Sequence, residues 1–112
     1  MRFDLDEIKV RSGSSIEITL VHTGKRSKEE MGHNFVLLKK EIDIRRFAMS
    51  VLDKKHNGYI SESKADIIAY TKVIAGGEST TITFEAPPKG TYNFLCSVPG
   101  HFGLMQGKFI VE

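Results

Sequence analysis

The fold of this chain is decided by the stretch Tyr92-Asn93-Phe94-Leu95-Cys96-Ser97-Val98-Pro99-Gly100-His101-Phe102-Gly103-Leu104-Met105. It contains the only cysteine of the 112 residues, with four residues between Cys96 and His101 and three more between His101 and Met105. A thiol, an imidazole and a thioether therefore lie on one short segment. Sulfur ligands favour soft or borderline metals, and imidazole suits copper. We interpret the segment as a candidate metal-binding loop.

The residues before this loop alternate as a β-strand does. Tyr92, Phe94 and Cys96 share one face, so the cysteine is expected to point into the core at the end of the strand. Pro99-Gly100 can reverse the chain and return His101 towards the sulfur. A pattern of three residues can arise by chance, and a buried cysteine is often only a small apolar residue. A metal site therefore needs a further ligand from elsewhere in the chain.

The second histidine is best supplied by His33, which lies far upstream in the segment Met31-Gly32-His33-Asn34. This segment stands at the entrance of an apolar run, Phe35-Val36-Leu37-Leu38, which predicts a strand. Two histidines, one cysteine and a weak axial methionine are the ligand set of blue-copper electron-transfer sites. A ligand on a distant strand would make the site depend on the folded structure rather than on one flexible loop.

The composition of the chain limits its class. Hydrophobic residues make up 40% and charged residues 27%, and the formal net charge is +2, so neither disorder nor nucleic-acid binding is expected. The length fits one domain, expected to span residues 1–112. No apolar run is long enough to cross a membrane and the N-terminus does not resemble a signal peptide. We expect no membrane insertion by this segment.

Short alternating runs separated by turn signals predict an all-β fold. The expected strands cover residues 8–10, 16–20, 31–38, 67–74, 79–85, 92–96 and 108–112. Residues 41–53 carry apolar side chains at helical spacing, which predicts one short helical insertion. This order of elements is typical of an antiparallel sandwich or barrel with Greek-key connections.

Two motifs of the chain resemble the cupredoxins, the type 1 blue copper proteins, and most closely the azurin and auracyanin group. Met31-Gly32-His33-Asn34 matches the upstream ligand motif of that family, and residues 96–107 (CSVPGHFGLMQG) match its C-terminal ligand loop. Residues 18–22 and 66–78 are also similar to the family's sequences. The resemblance implies a Greek-key β-sandwich that holds one copper ion and carries single electrons as copper cycles between Cu(I) and Cu(II).

The resemblance implies a role for residues of both motifs. His33, Cys96 and His101 would be the equatorial copper ligands and Met105 a long axial ligand. Gly32 would offer its backbone carbonyl from the opposite axial side, as it does in part of the family.

The resemblance also implies supporting residues. Backbone N–H groups of Asn34 and Val98 would donate hydrogen bonds to the Cys96 sulfur, and the Asn34 side chain would tie the two ligand loops together. His22 matches a buried histidine that binds no metal and whose protonation can influence the copper potential; from the residues alone, a histidine at a strand end is more often a structural residue. An apolar patch around His101 would receive redox proteins in transient contacts, although the same side chains could be plain core. Its residues are Met31, Pro99, Phe102 and Leu104.

Some features depart from the family's pattern. The chain begins later and lacks the N-terminal disulfide, Phe35 replaces the usual tryptophan, and Tyr70 replaces a second histidine that binds no metal. None of these changes touches an implied ligand. They leave open whether the chain is a whole protein or one domain of a longer one.

We expect a one-electron carrier rather than an enzyme, because no Ser-His-acid or paired-carboxylate arrangement is apparent and a filled copper site leaves no position for a substrate. Three alternatives stay open: a domain through which electrons enter a larger redox protein, a copper-handling protein that binds and transfers Cu(I), and a structural β-domain without metal. The resemblance implies a periplasmic or other extracytoplasmic location.

Overall fold

The structure is a computed structural model that describes residues 2–25 and 31–112. Its elements, in chain order, are β1 (Glu7–Val10), β2 (Ser15–Val21), β3 (Val36–Leu38), α1 (Ile44–Ser50), a 3₁₀ turn (Lys55–Asn57), β4 (Ile67–Tyr70), β5 (Ser79–Glu85), β6 (Gly90–Leu95) and β7 (Gln106–Val111). The predicted all-β class with one short helical insertion is confirmed. Over the described ranges, no helix is long and apolar enough to cross a membrane.

The strands form two sheets. The larger sheet has the order β1-β7-β6-β3-β4, and the smaller sheet pairs β2 with β5. Among the described strands, β1 and β7 run parallel and the other neighbours are antiparallel. In the β3–β6 pair, Val36 lies opposite Leu95. Because that pair is antiparallel, the segment entering β3 and the segment leaving β6 meet at the same end of the sheet.

The core has two parts, one on each face of the larger sheet. Phe94 packs between the sheets, whereas its neighbour Leu95 points to the other face and is also fully buried. Leu95 is buried because the insertion after β3 covers that face with Phe47, Ala48 and Val51. Both faces of β6 are therefore dry where the strand reaches Cys96, which has no exposed surface.

The helical insertion is shorter than the sequence predicted. Instead of covering residues 41–53, α1 begins after Asp43, whose side chain accepts a hydrogen bond from the Arg46 N–H at 2.8 Å, and it ends at Ser50. Such a cap fixes the start of a helix because it satisfies a free N–H of the first turn. Ile44 and Phe47 anchor the helix to the core.

The strands on either side of the insertion are also shorter than predicted. β3 begins at Val36 rather than at residue 31, and β4 ends at Tyr70 rather than at residue 74. The ladder stops there because the Thr71 hydroxyl, not a strand carbonyl, accepts the Phe35 N–H at 3.0 Å. The Thr71 N–H still donates to the Phe35 carbonyl at 2.9 Å, and His33 and Ile74 then form an isolated bridge.

Candidate metal centre

Three potential metal donors converge at the end of the larger sheet. The ligating atoms of His33, Cys96 and His101 all lie within 4.8 Å of one another. The Cys96 Sγ lies 4.0 Å from Nδ1 of His33 and 3.6 Å from Nδ1 of His101. Both imidazoles thus direct the same ring nitrogen towards the sulfur. Residues 63 positions apart in the chain build one compact donor cluster.

Backbone hydrogen bonds shape the loop that carries three of the candidate ligands. The Cys96 N–H donates to the Met105 carbonyl at 3.0 Å, and the Met105 N–H donates to the His101 carbonyl at 2.9 Å. Gly100 has a φ of 83°, a left-handed conformation that glycine adopts without strain and that reverses the chain before His101. Met105 is 3% exposed, so its thioether is held inside the protein.

His33 is fixed from a different part of the chain. Its N–H donates to the Ile74 carbonyl at 3.1 Å, and its carbonyl accepts the Ile74 N–H at 2.8 Å. This pair of bonds holds the backbone on both sides of the imidazole. Gly32, the other predicted contributor from this segment, is buried directly before His33.

The environment of Cys96 favours its neutral thiol when no metal is bound. Burial raises the pKa of Cys96 to about 11, and hydrogen bonds from the backbone N–H groups of Asn34 and Val98 oppose that rise. Since those two groups favour the thiolate, they act in the direction that metal binding requires. The thiol must still release its proton when it binds a metal.

The two imidazoles are already neutral bases near pH 7. Burial, followed by the charges of His22 and His101, lowers the pKa of His33 to about 4. Burial also lowers the pKa of His101. Neutral imidazole is the form that binds metals, so neither ring needs to lose a proton first.

A model of the copper-binding proteins of the plastocyanin/azurin family matches residues 1–112. The chain belongs to this family. It is 39% identical over 111 residues to Azurin-1 of Alcaligenes xylosoxydans xylosoxydans, which covers 96% of this chain and 86% of that protein. It is 38% identical over 112 residues to outer membrane protein H.8 of Neisseria gonorrhoeae, and here the match covers 96% of this chain but only 60% of the relative. Its fold matches auracyanin A, a "blue" copper protein from Chloroflexus aurantiacus, with a TM-score of 0.83 and 31% identity, covering 99% of this chain and 89% of that chain.

These matches confirm the cupredoxin resemblance and its Greek-key sandwich, and they make copper the cofactor of this cupredoxin. The donor set fits that metal, because thiolate and imidazole within 4.8 Å of each other are ligands that copper prefers. Of the ligands predicted from the sequence, the structure gathers His33, Cys96 and His101 and buries Met105 in the same loop. Together they form a candidate copper site like that of azurin.

A buried polar network beside Cys96 includes groups that the sequence did not reveal. Asn34 Oδ1 accepts the Ser97 N–H at 2.8 Å, and Asn34 Nδ2 donates to Ser97 Oγ at 2.9 Å. Ser97 Oγ in turn donates to the carbonyl of Tyr59 at 2.7 Å, and Asn34 Nδ2 also reaches the carbonyl of Gly58 at 3.4 Å. The network ties both ligand segments to the turn after α1. In the sequence, Asn57-Gly58 is a turn signal, but it does not indicate a hydrogen-bond partner for Ser97.

His22 lies against the site, and both of its ring nitrogens make hydrogen bonds. Its Nδ1 accepts the Gly24 N–H at 3.0 Å, so Nε2 carries the proton of the neutral ring and donates to the Met31 carbonyl at 2.7 Å. Its ring centre is 4.4 Å from that of His33. The side chain therefore fixes the start of the upstream ligand segment through its hydrogen bond to Met31. An influence of His22 on the copper potential stays a prediction.

The residues predicted as an apolar patch differ in exposure. Leu104 is 61% exposed and Pro99 is also exposed, whereas Phe102 and Met31 are half-buried. Phe102 packs against the core that lies under α1. The exposed part of the patch thus lies on the loop that carries His101, which is itself 8% exposed.

Proposed function

We propose that this cupredoxin is a one-electron carrier whose copper would be held by His33, Cys96, His101 and Met105, together with the backbone carbonyl of Gly32. The observation that carries the proposal is the convergence of one sulfur and two imidazole nitrogens within 4.8 Å. Copper, when bound, supplies a one-electron couple between Cu(II) and Cu(I).

The chain itself fixes the positions of these donor groups and excludes water from them. His33 is fixed by its two bonds to Ile74, and Cys96 by its bond to Met105. Cys96 has no exposed surface, and Met105 and His101 are 3% and 8% exposed. Donors that are already in place need little rearrangement when the charge at the site changes, which favours fast electron transfer.

The same arrangement supports the absence of an enzymatic role. Four protein side chains and one carbonyl are assigned to the metal, which leaves no free position for a substrate. Redox proteins would instead dock on the patch formed by Met31, Pro99, Phe102 and Leu104, close to the nearly buried His101. A small apolar patch suits weak contacts that separate quickly after transfer.

Reconstitution with Cu(II) tests the proposed site and function together. Adding Cu(II) to the copper-free protein should give an intense blue band from thiolate-to-copper charge transfer and a reversible one-electron couple in voltammetry. Cys96→Ala should abolish the band, whereas Met49→Leu, at a methionine that is 49% exposed far from the loop in sequence, should leave it unchanged. A colourless wild-type product, or a blue Cys96→Ala variant, contradicts the proposal.

A second reading is that this cupredoxin forms one part of a longer redox protein. The match to protein H.8, which leaves about two fifths of that relative uncovered, favours this reading. The size of the gene product in a blot of native cells decides it. A copper-transfer role is less well supported, because transfer requires exchangeable ligands and these donors are buried and fixed from two segments.

We also propose that the chain works outside the cytoplasm, in the periplasm or at an outer membrane face. The name of the relative H.8, an outer membrane protein, supports this location. Fractionation of the native cells should recover the protein with periplasmic or envelope markers. Recovery with cytoplasmic markers alone contradicts the proposal.

A further inference from the structure

The turn between His101 and Met105 has little rigidity of its own. Gly100 lies directly before His101 with a φ of 83°, and Gly103 stands in open space, where an added Cβ would meet no atom within 4 Å. Glycine leaves the backbone more conformational freedom than other residues do. Phe102 is half-buried, whereas the two residues that follow it are exposed. Between the two candidate ligands, Phe102 is therefore the residue whose side chain reaches the interior.

The Phe102 side chain packs against a core cluster that lies under α1. This α1 cluster consists of the buried residues Val36, Leu38, Ile44, Phe47, Ala48, Val51, Ile60, Ile67 and Leu95. One member, Leu95, directly precedes Cys96 and has no exposed surface. The cluster thus contacts a chain neighbour of each of two candidate ligands, Leu95 beside Cys96 and Phe102 beside His101. Its packing bears directly on the 3.6 Å between Sγ of Cys96 and Nδ1 of His101.

The hydrogen bonds of this turn do not replace that packing. Gln106 Nε2 donates to the Phe102 carbonyl at 2.9 Å, and the Met105 N–H donates to the His101 carbonyl at 2.9 Å. Both bonds join residues of the turn to one another, so they set its shape but not its position over the site. The bond from Gln106 is also exposed to solvent. The Phe102 ring supplies the contact between the turn and the core under α1.

We propose that Phe102 is a positioning residue of the candidate copper site. Its packing against the α1 cluster holds the turn in place, so that Nδ1 of His101 stays directed at the Cys96 sulfur. Donor groups keep their positions only when the residues that support them are themselves packed. The consequence for copper rests on the proposed function, whereas the effect on the turn exists without metal. This role operates in the isolated protein and needs no docked partner.

Amide hydrogen exchange of the copper-free protein tests the effect on the turn. The Met105 N–H reports on the turn, and the His33 N–H, which donates to the Ile74 carbonyl at 3.1 Å, is the internal reference. In Phe102→Ala the ratio of the Met105 rate to the His33 rate should rise about tenfold or more, because the turn opens while the upstream segment stays closed. Phe102→Leu keeps an apolar side chain for the cluster, and its ratio should stay within about threefold of the wild type.

Ile42→Ala is the matched control. Ile42 is also half-buried and packs against the α1 cluster, but it lies beyond Leu38, at the end of β3 away from His33. Its truncation should leave the exchange ratio unchanged, even where it lowers the stability of the protein as much as Phe102→Ala does. An unchanged ratio in Phe102→Ala, or an equal rise in Ile42→Ala, overturns the proposal.

A smaller truncation covers the case in which Phe102→Ala does not fold. Phe102→Val retains part of the apolar side chain and should raise the exchange ratio less, by about threefold or more. No rise in a folded Phe102→Val overturns the proposal.

Electron paramagnetic resonance of the Cu(II) protein tests the effect on the site. The copper hyperfine splitting depends on how the donor atoms surround the metal. It should change in Phe102→Ala, return to the wild-type value in Phe102→Leu and stay unchanged in Ile42→Ala. A wild-type spectrum in Phe102→Ala, as expected of a residue that only docks partners, overturns the proposal whatever the exchange ratio. A wild type that forms no blue site contradicts the proposed function instead, and the exchange ratio of the copper-free protein then decides the role of Phe102 alone.

Discussion

Ser97→Ala is the substitution whose effect follows most directly from the structure. The hydroxyl of Ser97 accepts from Asn34 Nδ2 at 2.9 Å and donates to the Tyr59 carbonyl at 2.7 Å. Ser97 is 1% exposed and Asn34 is fully buried, so water cannot replace either bond without opening the site. Removing the hydroxyl disconnects the turn after α1 from the residue that follows Cys96.

The expected cost comes from two lost bonds and one unsatisfied group. A net hydrogen bond is worth about 1 kcal/mol, and a buried polar group left without a partner costs about 1–3 kcal/mol. Asn34 Nδ2 retains a longer contact to the Gly58 carbonyl at 3.4 Å, which limits the loss on its side. We therefore expect Ser97→Ala to lower the free energy of unfolding of the copper-free protein by about 2–4 kcal/mol.

Urea denaturation of the copper-free protein, followed by far-ultraviolet circular dichroism, measures this change. The midpoint should fall by about 1–2 M at an unchanged slope. The matched control is Ser50→Ala at the end of α1, where the lost hydroxyl donates to the Phe47 carbonyl at 2.7 Å in an exposed residue. Its cost should stay below about 1 kcal/mol. A loss for Ser97→Ala no larger than that of the control refutes the reasoning.

Four further outcomes are expected. Asn34→Leu should still bind copper but shift the reduction potential and loosen the site, and an unchanged voltammogram and urea midpoint would argue against the bridging role of Asn34. Copper uptake at pH 7 should release about one proton into weak buffer, because the Cys96 thiol has a pKa of about 11 while the His33 imidazole, with a pKa of about 4, is already neutral. The apparent copper affinity should accordingly rise about tenfold per pH unit from about pH 7 to pH 10 and fall more steeply at acidic pH, where the imidazoles gain protons, and a flat titration contradicts the assignment. Gly107→Ala should lower the thermal midpoint through a loss of about 1–3 kcal/mol, since a Cβ there would lie 2.5 Å from the Asp6 carbonyl oxygen; an unchanged midpoint means that the chain relaxes freely.

The position of the candidate metal loop was predictable because side chains alternate between the two faces of any β-strand. Tyr92, Phe94 and Cys96 share a face in any strand, and both Phe94 and Cys96 are buried as expected. The partner histidine was predictable for a different reason. His33 stands directly before a fully apolar strand, so it is expected to lie at one end of the core. At that end β3 pairs with β6, the strand that leads to Cys96.

The supporting network of Ser97 and Tyr59 was not predictable from the sequence. Tyr59 has a φ of 59°, a left-handed conformation that is unusual for an aromatic residue and that is held by tertiary contacts. No local sequence pattern predicts that the Tyr59 carbonyl accepts a hydrogen bond from Ser97, 38 positions away. The predicted limits of β3 and β4 were wrong for a similar reason: at Thr71 a side-chain hydroxyl, rather than a strand carbonyl, accepts the Phe35 N–H. In both cases a long-range hydrogen bond overrides the local propensity.

The most direct test of the proposed electron carrier is a pair of crystal structures of the copper-loaded protein, one oxidised and one reduced. We expect one copper ion bound by Nδ1 of His33, Sγ of Cys96 and Nδ1 of His101, with the Met105 sulfur at a longer distance. The positions of these donor atoms should be the same in both oxidation states within coordinate error. A copper ion bound elsewhere, or a ligand that leaves the metal on reduction, would contradict a rigid one-electron site.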